Sequence, residues 1–446
     1  MKRVHVMGVE GVGMSALARL LMAEGVEVTG CDLAPGKRAE ALGIPVYQGH
    51  APEHLKGEDT LLVPTPIPPD HPEVAAARAR GLRVLRRMEL LAHLLSQKPS
   101  IGVTGTHGKT TTTGMLASIL LEAGLDPWVL LGGELGLLPG NARYGQGPRL
   151  AEVDESDPLF QGVRVSVAVA TNLEADHIAP PGQRAPNYHE SLEALEEAMR
   201  GFLKGAGVAV VPAFDERLKR LSQDLPRRLF GEGGELWAEG LEPGPTGSRF
   251  LLVWEGRVLG EARLQVPGAH NVRNALAAAL AALAFGVEVE AILKGLFRFP
   301  GVGRRFQKVG EVGGAWVVDD YAHHPTEVRA TLEAAGHLGR RIRVLFQPHR
   351  LLRTQALWEE FVEALAQAQE VVVLPVYTAG ERAQVSPEAL SQRIAEGLKA
   401  RGVAARYLEG EEALAYARAT AGPGDLWLAL GAGDVTDLAR RLVHEG

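Results

Sequence analysis

A single cysteine, Cys31, stands in 446 residues, which excludes an internal disulfide framework and suits a reducing cytosol. No uninterrupted apolar segment approaches the roughly 20 residues needed to cross a bilayer. The start, Met1 to Gly8, runs directly into a strand and a glycine turn, unlike a signal peptide. Blocks of like charge are also missing. The net charge of −7 is spread along the chain, which argues against a general nucleic-acid partner and against a membrane-surface patch. Asn and Gln are sparse and Arg outnumbers Lys, a bias that speaks to habitat or codon composition rather than to function.

What is present describes an α/β protein of more than one domain. The composition, 46% apolar and 23% charged, is that of a globular chain. Its length exceeds one ordinary core, so two to four domains are expected. Val4–Met7 reads as a strand, Gly8-Val-Glu-Gly11-Val-Gly13-Met-Ser15-Ala16 as a turn opening a helix, and Glu27–Cys31 as the next strand, closed by Asp32. Gly11-x-Gly13-x-x-Ala16, with an acid 19 residues after Gly13, is a passable dinucleotide fingerprint. It lets backbone approach a diphosphate and lets Asp32 accept from a hydroxyl. Thr60–Val63 ends in Pro64-Thr-Pro-Ile-Pro-Pro69, a rigid loop at a strand's C-terminal end, where ligands bind. Leu90–Pro99 reads as a linker.

A second junction is richer in chemistry. Ile101–Val103 enters Thr104-Gly105-Thr106-His107-Gly108-Lys109-Thr110-Thr111, and a helix follows over Thr110–Glu122. Strand, glycine turn and helix start converge backbone N–H groups on a phosphate. Lys109 adds a mobile positive charge, and the Thr110 hydroxyl suits magnesium. Val103 occupies the place of the first glycine in the strict P-loop spacing. Two later strands end in acid-rich loops, Asp154-Glu155-Ser-Asp157 and Thr171-Asn172-Leu-Glu174-Ala-Asp176-His177. Hard oxygen ligands there suit Mg²⁺ on nucleotide phosphates, with Glu155 and His177 as ligands. Ile178–Tyr188 reads as a loop or lid.

Pro267-Gly-Ala-His270-Asn271 leads into an alanine-rich helix, with Asn271 either its N-cap or a nucleotide contact. From Phe299-Pro-Gly-Val-Gly-Arg304-Arg305 onward, strand and helix alternate in a Rossmann-like rhythm, with polar clusters at strand ends. These are Asp319-Asp320-Tyr321-Ala-His323-His324-Pro-Thr-Glu327 and Gln347-Pro-His349-Arg350-Leu-Leu-Arg353. Arg350 and Arg353, one turn apart at a helix start, suit a carboxylate or phosphate.

Taken in order, Gly105-Thr-His-Gly-Lys-Thr-Thr, Asp154-Glu-Ser-Asp, Thr171-Asn-x-Glu-x-Asp-His, Pro267-Gly-x-His-Asn, Gly303-Arg-Arg-Phe, Asp319-Asp-Tyr-Ala-His-His-Pro-Thr-Glu and Phe346-Gln-Pro-His-Arg resemble the Mur ligases, from Met1 to about Gly433. The resemblance implies a three-domain α/β enzyme: a Rossmann-like UDP-sugar domain (1–96), a central P-loop ATPase domain with a mostly parallel sheet (97–298), and a C-terminal Rossmann-like ligase domain (299–446). It implies that Gly8, Gly11, Gly13 and Ser15, with Asp32, meet the UDP-sugar. Gly105, Thr106, His107, Gly108, Lys109, Thr110 and Thr111 would cradle ATP, with Asn271 and Asp320 also at the nucleotide. Thr110, Glu155 and His177 would hold Mg²⁺. Lys109, Arg304 and Arg305 would offset charge in phosphoryl transfer. Tyr321, His323, His349, Arg350 and Arg353 would line the amino-acid end, with His323 as general base. The implied reaction joins L-alanine to the lactyl carboxylate of UDP-N-acetylmuramate with ATP, through an acyl phosphate and a tetrahedral intermediate. The implied setting is cytoplasmic peptidoglycan precursor synthesis, as monomer or weak dimer, with the C-terminal domain closing over ATP.

The chain departs from the family pattern at Glu10, Ala16, Thr65-Pro66, Ala179–Pro186 and Leu351-Leu352. A nicotinamide oxidoreductase reading leaves Lys109, Glu155 and His177 without a role, and a non-catalytic nucleotide switch leaves the surrounding acids and histidines superfluous. A sister ligase adding another amino acid or a peptide is the alternative that shares these motifs.

Overall fold

The computed structural model describes residues 1–179, 187–244, 246–381 and 385–444. The Pro-rich replacement after Ala179 therefore lies outside the described residues. By internal packing the chain divides into two compact units. One comprises Met1–Glu239, Leu251–Ala262 and Arg273–Phe299, and the other Gly240–Phe250, Arg263–Val272 and Pro300–Gly446.

The first unit opens with β1 (Arg3–Met7), α1 (Val12–Ala23), β2 (Glu27–Asp32), α2 (Lys37–Ala41), β3 (Val46–Gln48), β4 (Thr60–Val63), α3 (Pro72–Ala79), β5 (Arg83–Arg86) and α4 (Arg87–Leu95). The sheet runs β3-β2-β1-β4-β5, and every pair is parallel. The order reverses between β1 and β4, so the turns after those two strands, Gly8–Gly11 and Pro64–Pro69, flank the switch point where α/β sheets bind ligands. The expected linker at Leu90–Pro99 is instead mostly α4. Leu90, Leu91, Leu94 and Leu95 are buried in the core; an apolar run with helical spacing packs rather than spanning open solvent.

The chain continues through β6 (Ser100–Thr104), α5 (Lys109–Glu122), β7 (Trp128–Leu130), β8 (Ala142–Arg143), β9 (Arg149–Glu152), β10 (Val165–Ala170), α6 (Leu192–Lys204), β11 (Ala206–Pro212), α7 (Glu216–Leu221) and β12 (Arg227–Phe230). These strands are ordered β12-β11-β10-β6-β9-β7-β8, with only the β7–β8 pair of this run antiparallel. All of β6 is buried, as a central parallel strand must be. α5 opens with four buried threonines, Thr110–Thr113, which favour helix weakly on their own. Tertiary packing therefore supports the helix. Ser118 donates to the Gly295 carbonyl at 2.7 Å, and a Cβ on Gly295 would lie 2.4 Å from the Ile119 Cα.

Three strands, β13 (Leu236–Pro243), β14 (Ser248–Trp254) and β15 (Arg257–Leu264), precede α8 (Ala269–Ala284) and α9 (Val289–Arg298). The second unit then builds β16 (Gln307–Val312), β17 (Ala315–Asp320), α10 (Pro325–Gly336), β18 (Arg341–Phe346), α11 (Leu351–Leu365), β19 (Glu370–Val373), α12 (Pro387–Ala400), β20 (Ala404–Tyr407), α13 (Gly410–Thr420), β21 (Asp425–Leu430) and α14 (Val435–His444). Its sheet runs β16-β17-β21-β18-β19-β20, parallel except for β16–β17. The C-terminal ends of β17, β21 and β18 are thus neighbours, which collects Asp320, Gly431 and Gln347. No helix among the described residues is long and apolar enough to cross a membrane.

Candidate active site

The turn from β6 to α5 is held by sterics that admit glycine alone. Gly105 has φ +132° and Gly108 φ +80°, and a Cβ on either would collide with Thr171 Oγ1 at 2.1 Å or Asn274 Oδ1 at 2.4 Å. Asn172 clamps the loop: its Oδ1 accepts from the His107 N–H at 2.9 Å, and its amide donates to the His107 carbonyl at 2.9 Å. The Asn172 carbonyl accepts from Thr106 N–H, and Thr106 Oγ1 accepts from Glu174 N–H. The Thr106 and His107 amides are therefore engaged by protein. The N–H groups left to meet an anion would be those of the first turn of α5, which have no intrahelical acceptor.

Lys109 folds back over this turn. Its Nζ donates to the Gly105 carbonyl at 2.7 Å and meets Glu155 Oε2 at 2.7 Å. Burial opposes the lysine charge, but Glu155, Asp154 and Glu152 outweigh it and hold the pKa above the usual lysine value. Burial pushes Glu155 up to about 7 against the pull of Lys109. Asp154, at the rim, is held down near 2: burial is outweighed by Lys109, Arg87 and His177. The Thr110 hydroxyl donates to Glu152 Oε2 at 2.8 Å, and Glu152 also accepts from Gly132 N–H. His177 adopts φ +55°, and its Nε2 lies 3.5 Å from Asp176 Oδ2. The loop, Lys109, Thr110, Glu155 and the loop after β10 are thus brought together. Glu152 and Asn274 enter the site with no role read from the sequence, and Asn172 stands there only inside the motif after β10. Glu152 had a signal in its place at the end of a strand beside the phosphate loop; Asn274, far along the chain, had none.

The β1–α1 turn is built differently. Only Gly8 is left-handed, at φ +65°. The Glu10 carboxylate accepts from the N–H groups of Gly36, Arg38 and Ala39, capping α2. That accounts for the departure from the family pattern at Glu10: the carboxylate ties two strand-end loops together. Asp32 accepts from the N–H groups of Glu10 and Ala34. Ser15 spends its hydroxyl on the carbonyls of Gly11 and Val12. Arg87 passes over Gly13, where a Cβ would come within 2.8 Å of its Nη1. Thr65 donates to Asp157 at 3.1 Å.

In the second unit, Asn271 is the third residue of α8, not its N-cap, because the helix begins at Ala269; its amide donates to the Pro267 carbonyl at 2.7 Å. Arg304 is tied to its own unit, donating to the carbonyls of Gly431 and Gly433 and lying 3.5 Å from Asp319. Arg305 meets Glu327, and both guanidinium groups lie about 5 Å from the Tyr321 ring, at 4.8 and 5.1 Å. Asp320 accepts from Phe306 and Ala322 N–H groups, and burial raises it to about 6. His323 Nδ1 donates to the Tyr321 carbonyl at 2.9 Å, which leaves Nε2 as the basic nitrogen of the neutral ring. Tyr321, His323, His349 and Tyr377 form a row of rings 5.1–5.7 Å apart; Tyr377 was not singled out in the sequence. Arg350 is a left-handed N-cap, at φ +68°, 3.6 Å from Glu381, and Arg353 is buried. Leu351 packs with Val376 and Leu390, so an apolar residue follows Arg350 because that helix face is covered.

Comparison with known proteins identifies the lineage. Three family models match in order: "Mur ligase family, catalytic domain" over residues 3–99, "Mur ligase middle domain" over 151–282, and "Mur ligase, glutamate ligase domain" over 304–433. The UDP-N-acetylmuramate–L-alanine ligase of Deinococcus radiodurans is 41% identical, covering 98% of this chain and 93% of that protein. That of Kineococcus radiotolerans is 43% identical over 99% and 96%. Among solved structures, the UDP-N-acetylmuramate–alanine ligase of Thermotoga maritima superposes with a TM-score of 0.85 at 30% identity, covering 100% of this chain and 99% of that one. With three sheets of mostly parallel strands and all three family segments in register, the chain belongs to the Mur ligase family and has its three-domain α/β fold.

Proposed function

We propose that this chain is an ATP-dependent ligase that joins L-alanine to the lactyl carboxylate of UDP-N-acetylmuramate, the first amino-acid addition in peptidoglycan precursor synthesis. The observation that carries the reaction type is Lys109 Nζ, 2.7 Å from buried Glu155 at the head of α5. The substrates rest on the near full-length likeness to ligases of that name. We assign the UDP-sugar to 1–96, ATP to 97–298 and amino-acid ligation to 299–446. ATP and a UDP-sugar are cytoplasmic metabolites, and the enzyme is placed with them.

A carboxylate resists an amine because its leaving group would be oxide. Transfer of the γ-phosphoryl group to the lactyl carboxylate gives an acyl phosphate and ADP. The alanine nitrogen then adds to the acyl carbon, and the tetrahedral intermediate expels phosphate to leave the amide. The α5 N–H groups receive the phosphates, and Lys109 turns from Glu155 to the β/γ oxygens, offsetting charge as it develops. His323 takes the amine proton at Nε2. Arg350 and Arg353 hold the alanine carboxylate.

The residues also fit magnesium. Both Glu155 carboxylate oxygens are buried, with no partner but the Lys109 ammonium, and the Thr110 hydroxyl and His177 supply further donors. When bound, the ion neutralises phosphate charge. The test is ADP and amide formation from UDP-N-acetylmuramate with a panel of amino acids and the peptide substrates of sister ligases. Alanine should give the highest kcat/KM; product no greater than with glycine, glutamate or a peptide sinks the specific assignment.

A further inference from the structure

Beneath the β1–α1 turn lies a cluster for which the proposed reaction has no use. His5 of β1, Cys31 of β2, His54 after β3 and Glu73 of α3 each offer one ligand atom, and these atoms all lie within 4.8 Å of one another. His5, Cys31 and Glu73 are fully buried. His5 Nε2 lies 3.1 Å from Glu73 Oε1, and Cys31 Sγ lies 3.6 Å from each Glu73 oxygen.

Two ring nitrogens of the cluster, His5 Nε2 and His54 Nδ1, are buried without a hydrogen bond. Glu58, held below the usual carboxylate range because backbone and Thr29 hydrogen bonds outweigh its burial, accepts the Thr29 hydroxyl proton at 2.9 Å. Thr29 Oγ1 must then accept from His5 Nδ1, 2.7 Å away. His5 Nδ1 therefore carries a hydrogen. Nε2, fully buried, makes no hydrogen bond and lies against the Glu73 carboxylate. That carboxylate accepts from the Cys31 thiol, whose sulfur also lies 3.1 Å from His50 Nδ1. A cation seated among Nε2, the sulfur and the carboxylate would give the unpartnered nitrogen a partner. The Glu58–Thr29–His5 relay is the outer-shell arrangement that orients a metal-binding histidine.

We propose that His5, Cys31, His54 and Glu73 bind a zinc ion within the N-terminal sheet. One thiolate, two imidazoles and one carboxylate form a zinc-type donor set, and the sulfur disfavours magnesium. Bonds of about 2.0–2.3 Å in a tetrahedron place ligands about 3.3–3.8 Å apart. The His5–Glu73 and Cys31–Glu73 atoms, 3.1 and 3.6 Å apart, lie near that spacing already. His54, half-buried and stacked on Tyr47 at 4.8 Å, closes the set by a side-chain rotation. Binding would exchange the Cys31 S–H proton for the metal, releasing it to solvent. In the metal-free state, burial and Glu73 push the thiol pKa up. Because the Val9 N–H donates to the Cys31 carbonyl at 3.1 Å, the ion would brace the glycine turn from below.

Cobalt(II) provides a specific test, because Cys31 is the chain's single cysteine and any thiolate-to-cobalt charge-transfer band must arise there. The full-length, metal-stripped protein is titrated with Co²⁺ and with Zn²⁺ in excess Mg²⁺, and bound zinc is measured by mass spectrometry. One zinc per chain is expected, with tetrahedral Co²⁺ absorption and the charge-transfer band. Cys31→Ser should abolish that band, and it and His54→Gln should each weaken zinc at least about tenfold. A wild-type chain that takes up no zinc refutes the site whatever the variants do. So does Co²⁺ binding without the thiolate band. Neither result bears on the ligase reading, which is scored by amide formation.

Discussion

The two strand–glycine turn–helix junctions of the first unit look alike in sequence and are wired in opposite ways. After β1, the polar side chains are consumed by the protein: Glu10 caps α2, Asp32 accepts two backbone N–H groups, and Ser15 bonds back into α1. After β6, the backbone is clamped by Asn172, while Lys109 and Glu155 are paired with each other and the ammonium also rests on the Gly105 carbonyl. A turn whose side chains are satisfied offers a fixed backbone surface for a ligand that is held. A turn whose charges are paired across a gap offers groups that can be repartnered as charge moves.

The largest effect that separates them is Lys109→Ala. Loss of one charge-stabilising donor costs about 10²–10³ in rate, and here it also leaves Glu155 buried and unpaired, so turnover should fall by at least about 10³-fold. UDP-sugar affinity, measured by calorimetry, should stay within about threefold by the same reasoning that the first turn is wired independently. Retained turnover with lost UDP-sugar affinity would reverse the roles of the two turns.

Next are the glycines. Gly108→Ala forces a Cβ to within 2.4 Å of Asn274 Oδ1 at φ +80°, and strain of about 1–3 kcal/mol is expected. The KM for ATP should rise about tenfold or more. Gly11→Ala meets the Gly8 carbonyl at 3.2 Å and the Met14 side chain at ordinary contact distance, without positive φ, and should leave that KM unchanged. Equal effects of the two variants would erase the distinction.

Glu10→Ala is milder. It removes the side-chain cap from three N–H groups of α2, costing about 1 kcal/mol. Weakened UDP-sugar binding with an unaltered KM for ATP is the expected signature in steady-state kinetics.

These contrasts also explain what the sequence made legible. The phosphate loop, Lys109 and the acids after β9 and β10 were readable because glycine spacing, a lysine at a helix start and strand-end acids are local signals. The role of Glu10 was not, since its partners lie 26 to 29 residues away and only folding brings α2 to it. Asn274 meets Gly108 across more than 160 positions. The linker expected at Leu90–Pro99 fails because Leu90, Leu91, Leu94 and Leu95 have the spacing of a buried helix face. Arg304 had the charge expected of a ligand-binding group, while its bonds to Gly431 and Gly433 carbonyls depend on β21 lying beside β17.

Asp320 extends the comparison to the second unit and carries the smallest effect. Like Asp32 it ends a strand and accepts two backbone N–H groups, from Phe306 at 2.7 Å and Ala322 at 2.8 Å, but burial lifts its pKa from 3.8 to about 6. A folded-state pKa above the unfolded value means the native chain binds the proton more tightly. Its contribution to stability is therefore fully present below about pH 4 and is lost as pH rises through about 6. Asp320→Asn lacks this titration, so the difference between wild-type and variant denaturation midpoints should itself slope with pH across this window, the wild type losing ground as pH rises. It should also add a pH-independent loss of about 1 kcal/mol, because the amide can accept from only one of the two N–H groups at its oxygen. If the difference between the two proteins is flat with pH, Asp320 is ionised throughout, and the two strand-end acids are stapled by their loops in the same way.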